Sequence, residues 1–217
     1  MKLALVNPNT SPETTHLMVD ILAEAAGAEV LIEGHTAQFG APLITDPAAL
    51  SVAADAVLAL APSLRDADAV IVAAFGDPGL DALRDVLTVP VTGIAEAGMM
   101  EAAEEDRRLA VVTTTPDLKA KIADTARRHG HASFVGTWTT PGDPAALTAN
   151  PTLLETALAD AIQAAVREGG AEAVVIGGGP LARAARSLAG TSPVPLNEPL
   201  PAAFRLSLAR LSKGVSS

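Results

Sequence analysis

The stretch Asp68-Ala-Val-Ile-Val-Ala-Ala-Phe-Gly-Asp-Pro-Gly79 decides the fold of this chain. It begins as an apolar run, Ala69 to Ala73, of the kind a parallel strand covered on both faces requires. It turns through Ala74, Phe75, Gly76 and Asp77, and Pro78 then opens a helix, since proline suits a first helical position. A second copy follows at Glu172-Ala-Val-Val-Ile-Gly-Gly-Gly-Pro180. In both, an acid precedes the apolar run, small residues end it, and a proline starts the next element. Ala74 and Gly178 hold equivalent places, 104 positions apart.

Working outward, the repetition extends over most of the chain. Lys2-Leu-Ala-Leu-Val-Asn-Pro-Asn-Thr10 is repeated by Arg108-Leu-Ala-Val-Val-Thr-Thr-Thr-Pro116 at an offset of 106. Val89-Pro90-Val91 is repeated by Val194-Pro195-Leu196 at an offset of 105. Three matches in order point to an internal duplication. In the first half, strands are expected at Lys2 to Val6, Ala28 to Ile32, Ala69 to Ala73 and Val89 to Thr92. Between and after them lie helices from Ser11 to Gly27, from Asp46 to Leu60, from Pro78 to Val86 and from Ala95 to Ala103. Residues 33 to 46 read as a loop. Strands alternating with helices imply parallel sheets with right-handed crossovers. The expected fold is therefore α/β, with two pseudo-symmetric Rossmann-like lobes and a cleft between them. Residues 1–93 plus 199–217 would form the first lobe and 94–198 the second. A tail helix from Pro199 to Leu211 would pack back on the first half.

The composition narrows the function. Apolar residues are 49% of 217, which supports a sizeable core, and charged residues are only 18%. The net charge is −10 and no basic run is interleaved with aromatics, so a nucleic-acid partner is not expected. No apolar stretch reaches membrane-spanning length, so no membrane partner is expected either. The first residues lack the features of a signal peptide, and a cytoplasmic location is expected by default. There is no cysteine, hence no disulfide, thiolate ligand or thiol nucleophile. No His/Asp/Glu spacing suggests a metal site, and no cofactor is expected. The expected partners are a small-molecule substrate and further copies of the chain in a homo-oligomer.

Ligands of parallel α/β sheets bind at the carboxyl ends of the strands. The polar and glycine-rich turns fall at those ends: Asn7 to Thr10, Ala74 to Asp77, Thr113 to Thr115, Gly177 to Gly179, and Asn197-Glu198. Asn7-Pro-Asn-Thr10, Phe75-Gly-Asp-Pro-Gly79, Leu109-Ala-Val-Val-Thr-Thr114 and the glycine turn at 177 together resemble the aspartate/glutamate/hydantoin racemase superfamily, its hydantoin and allantoin racemase branch above all. The resemblance covers nearly the whole chain. It implies a pseudo-twofold racemase scaffold whose members use two cysteines, one per half, on opposite faces of the substrate carbon. The positions implied for those thiols are Ala74 and Gly178. It therefore implies a small carboxylate, amino-acid derivative or cyclic ureide as ligand, but not the two-thiol reaction. What remains open is one-sided enolate-type chemistry (isomerase, decarboxylase or lyase) or binding without catalysis.

Each remaining candidate has a structural alternative. Asn7, Asn9, Thr10, Thr113, Thr114 and Thr115 supply neutral donors suited to a carboxylate or ureide, but such residues also cap helices and close turns. Phe75 and the Gly177-Gly178-Gly179 turn would line the pocket, the latter offering backbone N–H groups, or would simply be a tight strand-to-helix turn. Asp77 is a candidate acid or base, or the cap of the helix begun at Pro78. Glu198 stands where the family has an acid near the pocket, or is a first-turn acid ahead of Pro199. His35 is a lone loop histidine able to titrate near neutrality, or a surface residue.

Overall fold

The computed structural model describes residues 1 to 214, and the last three residues assigned above to the first lobe, 215 to 217, lie outside them. The first lobe contains β1 (Lys2–Asn7), α1 (Pro12–Ala26), β2 (Leu31–Thr36), α2 (Pro47–Ala59), β3 (Ala69–Val72), α3 (Leu80–Val86) and β4 (Val91–Gly93). Helix α4 (Ile94–Ala102) leads to β5 (Leu109–Thr113), α5 (Lys119–Arg128), β6 (Phe134–Thr139), α6 (Pro144–Thr148) and α7 (Pro151–Gly169). The chain ends with β7 (Ala173–Ile176), α8 (Ala182–Ala189), β8 (Leu196–Asn197) and α9 (Pro199–Gly214). Among the described residues no helix is long and apolar enough to cross a membrane.

Both sheets are parallel and four-stranded, in the orders β2-β1-β3-β4 and β6-β5-β7-β8. The identical order is what a duplication produces, and it confirms the two-lobed α/β expectation. The ladders end alike: Ala73 N–H donates to the Val6 carbonyl at 2.8 Å, and Gly177 N–H donates to the Val112 carbonyl at 2.8 Å. The carboxyl ends of β1 and β3 thus face those of β5 and β7, and the turns that follow meet between the lobes.

Local chemistry starts the helices as the sequence suggests. Ser11 accepts from Thr14 N–H at 3.2 Å and Pro12 holds the first helical position of α1. Asp46 caps α2 through Ala49 N–H at 2.9 Å. Helix α9 lays Leu200, Ala203 and Phe204 against Leu3, Leu5 and Ile71 of the first sheet and Met18 and Leu22 of α1. In the second lobe α7 places Leu154, Leu158 and Ile162 on Val112, Val174 and Ile176. A third cluster crosses between the lobes, joining Leu50 and Phe75 to Leu109, Leu118, Ile122 and Val175.

Three boundaries differ from expectation. Strand β2 runs over Leu31–Thr36, not 28 to 32, so His35 lies on a strand. The sequence there is polar because β2 is an edge strand, every position of which is partly or fully exposed. Helix α3 begins at Leu80, because Gly79 adopts φ 74° and breaks the turn opened by Pro78. β4 occupies Val91–Gly93, past Pro90, which cannot donate to the ladder. The new position of β2 is fixed by Gly34, where a Cβ would lie 2.8 Å from Thr15 Cγ2 and Val19 Cγ2 of α1. Gly34→Val is expected to destabilise the protein by about 1–3 kcal/mol through overpacking. An unchanged urea midpoint would show that α1 does not rest on this strand.

Candidate functional site

A cavity of about 60 Å³ lies between the lobes where the turns meet. From the first lobe Asn9, Thr14, Ala73, Ala74 and Phe75 line it, with Leu43 and Ile44 from the loop after β2. From the second come Thr113, Thr114, Thr115, Leu118, Thr148 and the run from Gly177 to Leu181. Ala74 and Gly178 therefore flank one small space, as their equivalence in the duplication requires. None of the lining residues carries an ionisable side chain. By the volume a single water occupies, the cavity admits about five water-sized groups, which fits a small compact ligand.

The two facing turns are built alike. Asp77 N–H donates to the Ala74 carbonyl at 3.0 Å, and Leu181 N–H donates to the Gly178 carbonyl at 3.0 Å. Among the described residues, the N–H groups of Ala74, Phe75, Gly178 and Gly179 have no acceptor in the protein. Two pairs of free amides thus border the same cavity, an arrangement suited to a carboxylate or a polarised carbonyl. Gly178 has φ 143°, which a residue with a Cβ rarely adopts.

The side-chain donors divide into lining and supporting groups. Asn7 is fully buried and absent from the cavity wall. Its Nδ2 donates to Asn9 Oδ1 at 2.8 Å, Thr15 Oγ1 at 2.9 Å and the Ser11 carbonyl at 3.0 Å, so it shapes the turn. Asn9 Oδ1 also accepts from Ser11 N–H at 3.0 Å, and Asn9 itself reaches the cavity. Thr10 is not on the wall either; its N–H donates to the Ala41 carbonyl at 3.1 Å and anchors the loop that carries Leu43 and Ile44. Thr113 and Thr115 share a hydroxyl contact of 3.1 Å. Leu43, Ile44, Leu118, Thr148 and Leu181 were missed from the sequence. The duplication held the signal for one of them, since Leu181 stands 104 positions after the candidate Asp77.

Both candidate carboxylates are engaged away from the cavity. Glu198 accepts from Arg186 Nε at 2.7 Å, and this pairing raises the already high pKa of the guanidinium. Asp77 is 7% exposed and does not cap the helix that follows it. Its carboxylate instead accepts from Ala95 N–H and Glu96 N–H, each at 2.8 Å, and so caps α4. Asp77 sits at φ 50°, and a Cβ on Gly93 would collide with its carboxyl carbon. Around it, Glu96 binds Arg210 Nη2 at 2.7 Å and Arg84 Nη2 at 2.8 Å. Burial pushes Glu96 up, but Arg210 and Arg84 together hold it below the usual carboxylate range. His35 is half-buried with Ser63 Oγ 3.4 Å from Nδ1, and burial lowers its pKa.

This scaffold, with twin strand-end turns closing on one cavity, is that of a racemase fold. Residues 3–207 match the Asp/Glu/Hydantoin racemase family, and the chain belongs to it. A hydantoin racemase of Rhizobium meliloti is 30% identical over 229 residues, which cover 100% of this chain and 91% of that protein. An allantoin racemase from Pseudomonas fluorescens superposes with a TM-score of 0.93 at 26% identity, covering 99% of this chain and 92% of its own. One from Klebsiella pneumoniae gives 0.91 at 27%, covering 99% and 89%.

Burial raises the Asp77 carboxyl to about 7, against the pull of the Ala95 and Glu96 amides. Its folded pKa lies above its unfolded one, so the folded state holds the proton more tightly. The resulting stability is fully present below about pH 4 and is lost as pH rises through about 7. The stability difference between the parent protein and Asp77→Asn should therefore shrink between pH 5 and pH 8 in denaturant titrations. A difference that is flat or grows with pH would place the folded pKa in the ordinary range.

Proposed function

We propose that this protein takes a small cyclic ureide of the hydantoin type, or a small carboxylate, into the inter-lobe cavity and polarises its carbonyl toward an enolate. One observation carries the reading. Two pairs of free backbone amides and a row of threonine hydroxyls border a cavity with no ionisable side chain. Neutral donors stabilise charge developing on a carbonyl oxygen where water is excluded. The family relationship supports the ligand class. The reaction is one-sided, of an isomerase, decarboxylase or lyase kind, because neither half of the chain supplies a thiol.

A second reading is binding without turnover. It is favoured by the pairing of Glu198 with Arg186 and of Asp77 with α4, which leaves no acid or base of the protein beside the ligand. The two readings share a ligand and differ in proton transfer.

Hydantoin and small carboxylates should raise the melting temperature, and a panel with no effect would overturn both readings. Deuterium exchange at the α-carbon of bound hydantoin, followed by NMR, separates them: exchange above the solvent rate supports the enzyme. Racemisation should be undetectable. Ala74→Cys combined with Gly178→Cys should gain α-proton exchange, and each single variant much less. Gly178→Cys should cost about 1 kcal/mol or more in stability, because of the positive φ and of Leu181 lying 3.3 Å from the new Cβ. A folded double variant inert on every ureide and amino acid would show that the cavity has diverged in shape.

A further inference from the structure

Besides the pairs that join Glu96 and Glu101 of the linking helix α4 to arginines of α3 and α9, two ion pairs among the described residues cross between the lobes. Arg186 of α8 pairs with Glu24 of α1, and its Nη2 reaches the Ile21 carbonyl at 3.5 Å. Arg128, at the end of α5, lies 3.6 Å from Asp81 of α3. In both pairs the acid belongs to the first lobe and the arginine to the second.

Each pair rims an apolar seam. Met18, Ile21 and Leu22 of α1 meet Ala182 on one side, and Leu50 and Phe75 meet Leu118 and Ile122 on the other. The seams carry the cavity turns. A Cβ on Gly179 would lie 2.5 Å from Met18 Sδ, and one on Gly177 would lie 3.0 Å from Phe75 Cδ1.

We propose that these pairs are electrostatic latches that hold the lobes closed over the cavity, and that the Arg128–Asp81 side opens to admit the ligand. Arg186 is fastened twice, to Glu24 and to Glu198 at 2.7 Å. Arg128 is divided between Asp81 and Asp124 at 3.4 Å, and Asp81 also lies 3.8 Å from Arg84. The looser pair has an open cavity of about 340 Å³ beside it, bordered by Ser51, Asp77, Lys121 and Arg128. The turn from Phe75 to Asp77 borders both spaces: Phe75 lines the ligand cavity, and Gly76 and Asp77 line the open one. The four latch residues are positioning residues. Their side chains are partly exposed, so salt weakens their attraction.

The admission of ligand rests on the function proposed above; the latching does not, and it is read without ligand. Hydrogen exchange of the full chain is followed at the amides of 74–79 and 177–181, at about 0.05 M and 0.5 M NaCl. Salt should speed exchange at 74–79 about two- to five-fold and at 177–181 less, the range expected for exposed pairs. Arg128→Gln should raise exchange at 74–79 and remove its salt response, and Arg128→Lys should restore most of both. Arg186→Gln should act at 177–181. Salt-independent exchange at both turns, or an equal rise at β2 in the Gln variants, would overturn the proposal. The first outcome denies the latches, and the second reduces them to general stability.

Discussion

The buried carboxylate of Asp77 is the interaction on which this architecture depends. It reaches from the turn after β3 to the first amides of α4, a helix that begins 17 residues later. Helix N-termini carry partial positive charge and unpaired N–H groups, so a carboxylate there satisfies both. Because the turn needs Asp77 at φ 50° and Gly93 without a Cβ, two separate stretches of chain, the turn after β3 and residues 93–96, are fixed together. The same contact sets Ala74 and Phe75, and hence one wall of the cavity. Glu96, Arg84 and Arg210 extend it to β4 and α9.

The second lobe solves the matching problem differently. Leu181 occupies the place of Asp77 in the equivalent turn and contributes an apolar side chain to the cavity. That turn is held by glycines in extended or left-handed backbone and by packing on Met18. The duplicated frame is thus asymmetric where it meets the ligand. One wall is pinned by a buried carboxyl group, the other by close backbone contact. Threonines dominate the polar lining of the second half, whereas the first contributes Asn9 and Thr14.

Charge is excluded from the cavity and concentrated around it. Glu198 with Arg186, Asp77 with α4, and Glu101 with Arg205 at 2.6 Å all lie outside the wall. Apolar surroundings strengthen each hydrogen bond made to a ligand, because the local dielectric is low. They also leave proton transfer without a protein carrier. The thiols that the family resemblance implies at 74 and 178 would have supplied that function, and this chain has neither.

The fold class, the duplication and the polar strand ends were legible in the amino-acid order alone. Those features follow from local rules: apolar runs for covered strands, and proline, glycine and serine at turns and caps. The same rules failed at β2, whose exposed edge reads as polar loop. Local reading left Asp77 between an acid or base and the cap of the nearest helix, and the family resemblance left Glu198 between a pocket acid and a first-turn acid. Tertiary structure sent Asp77 to α4 and Glu198 to Arg186. It also brought Leu43, Ile44, Leu118 and Thr148 to the cavity. A charged or buried side chain takes the partner that lies nearest in space, and sequence distance does not measure that separation.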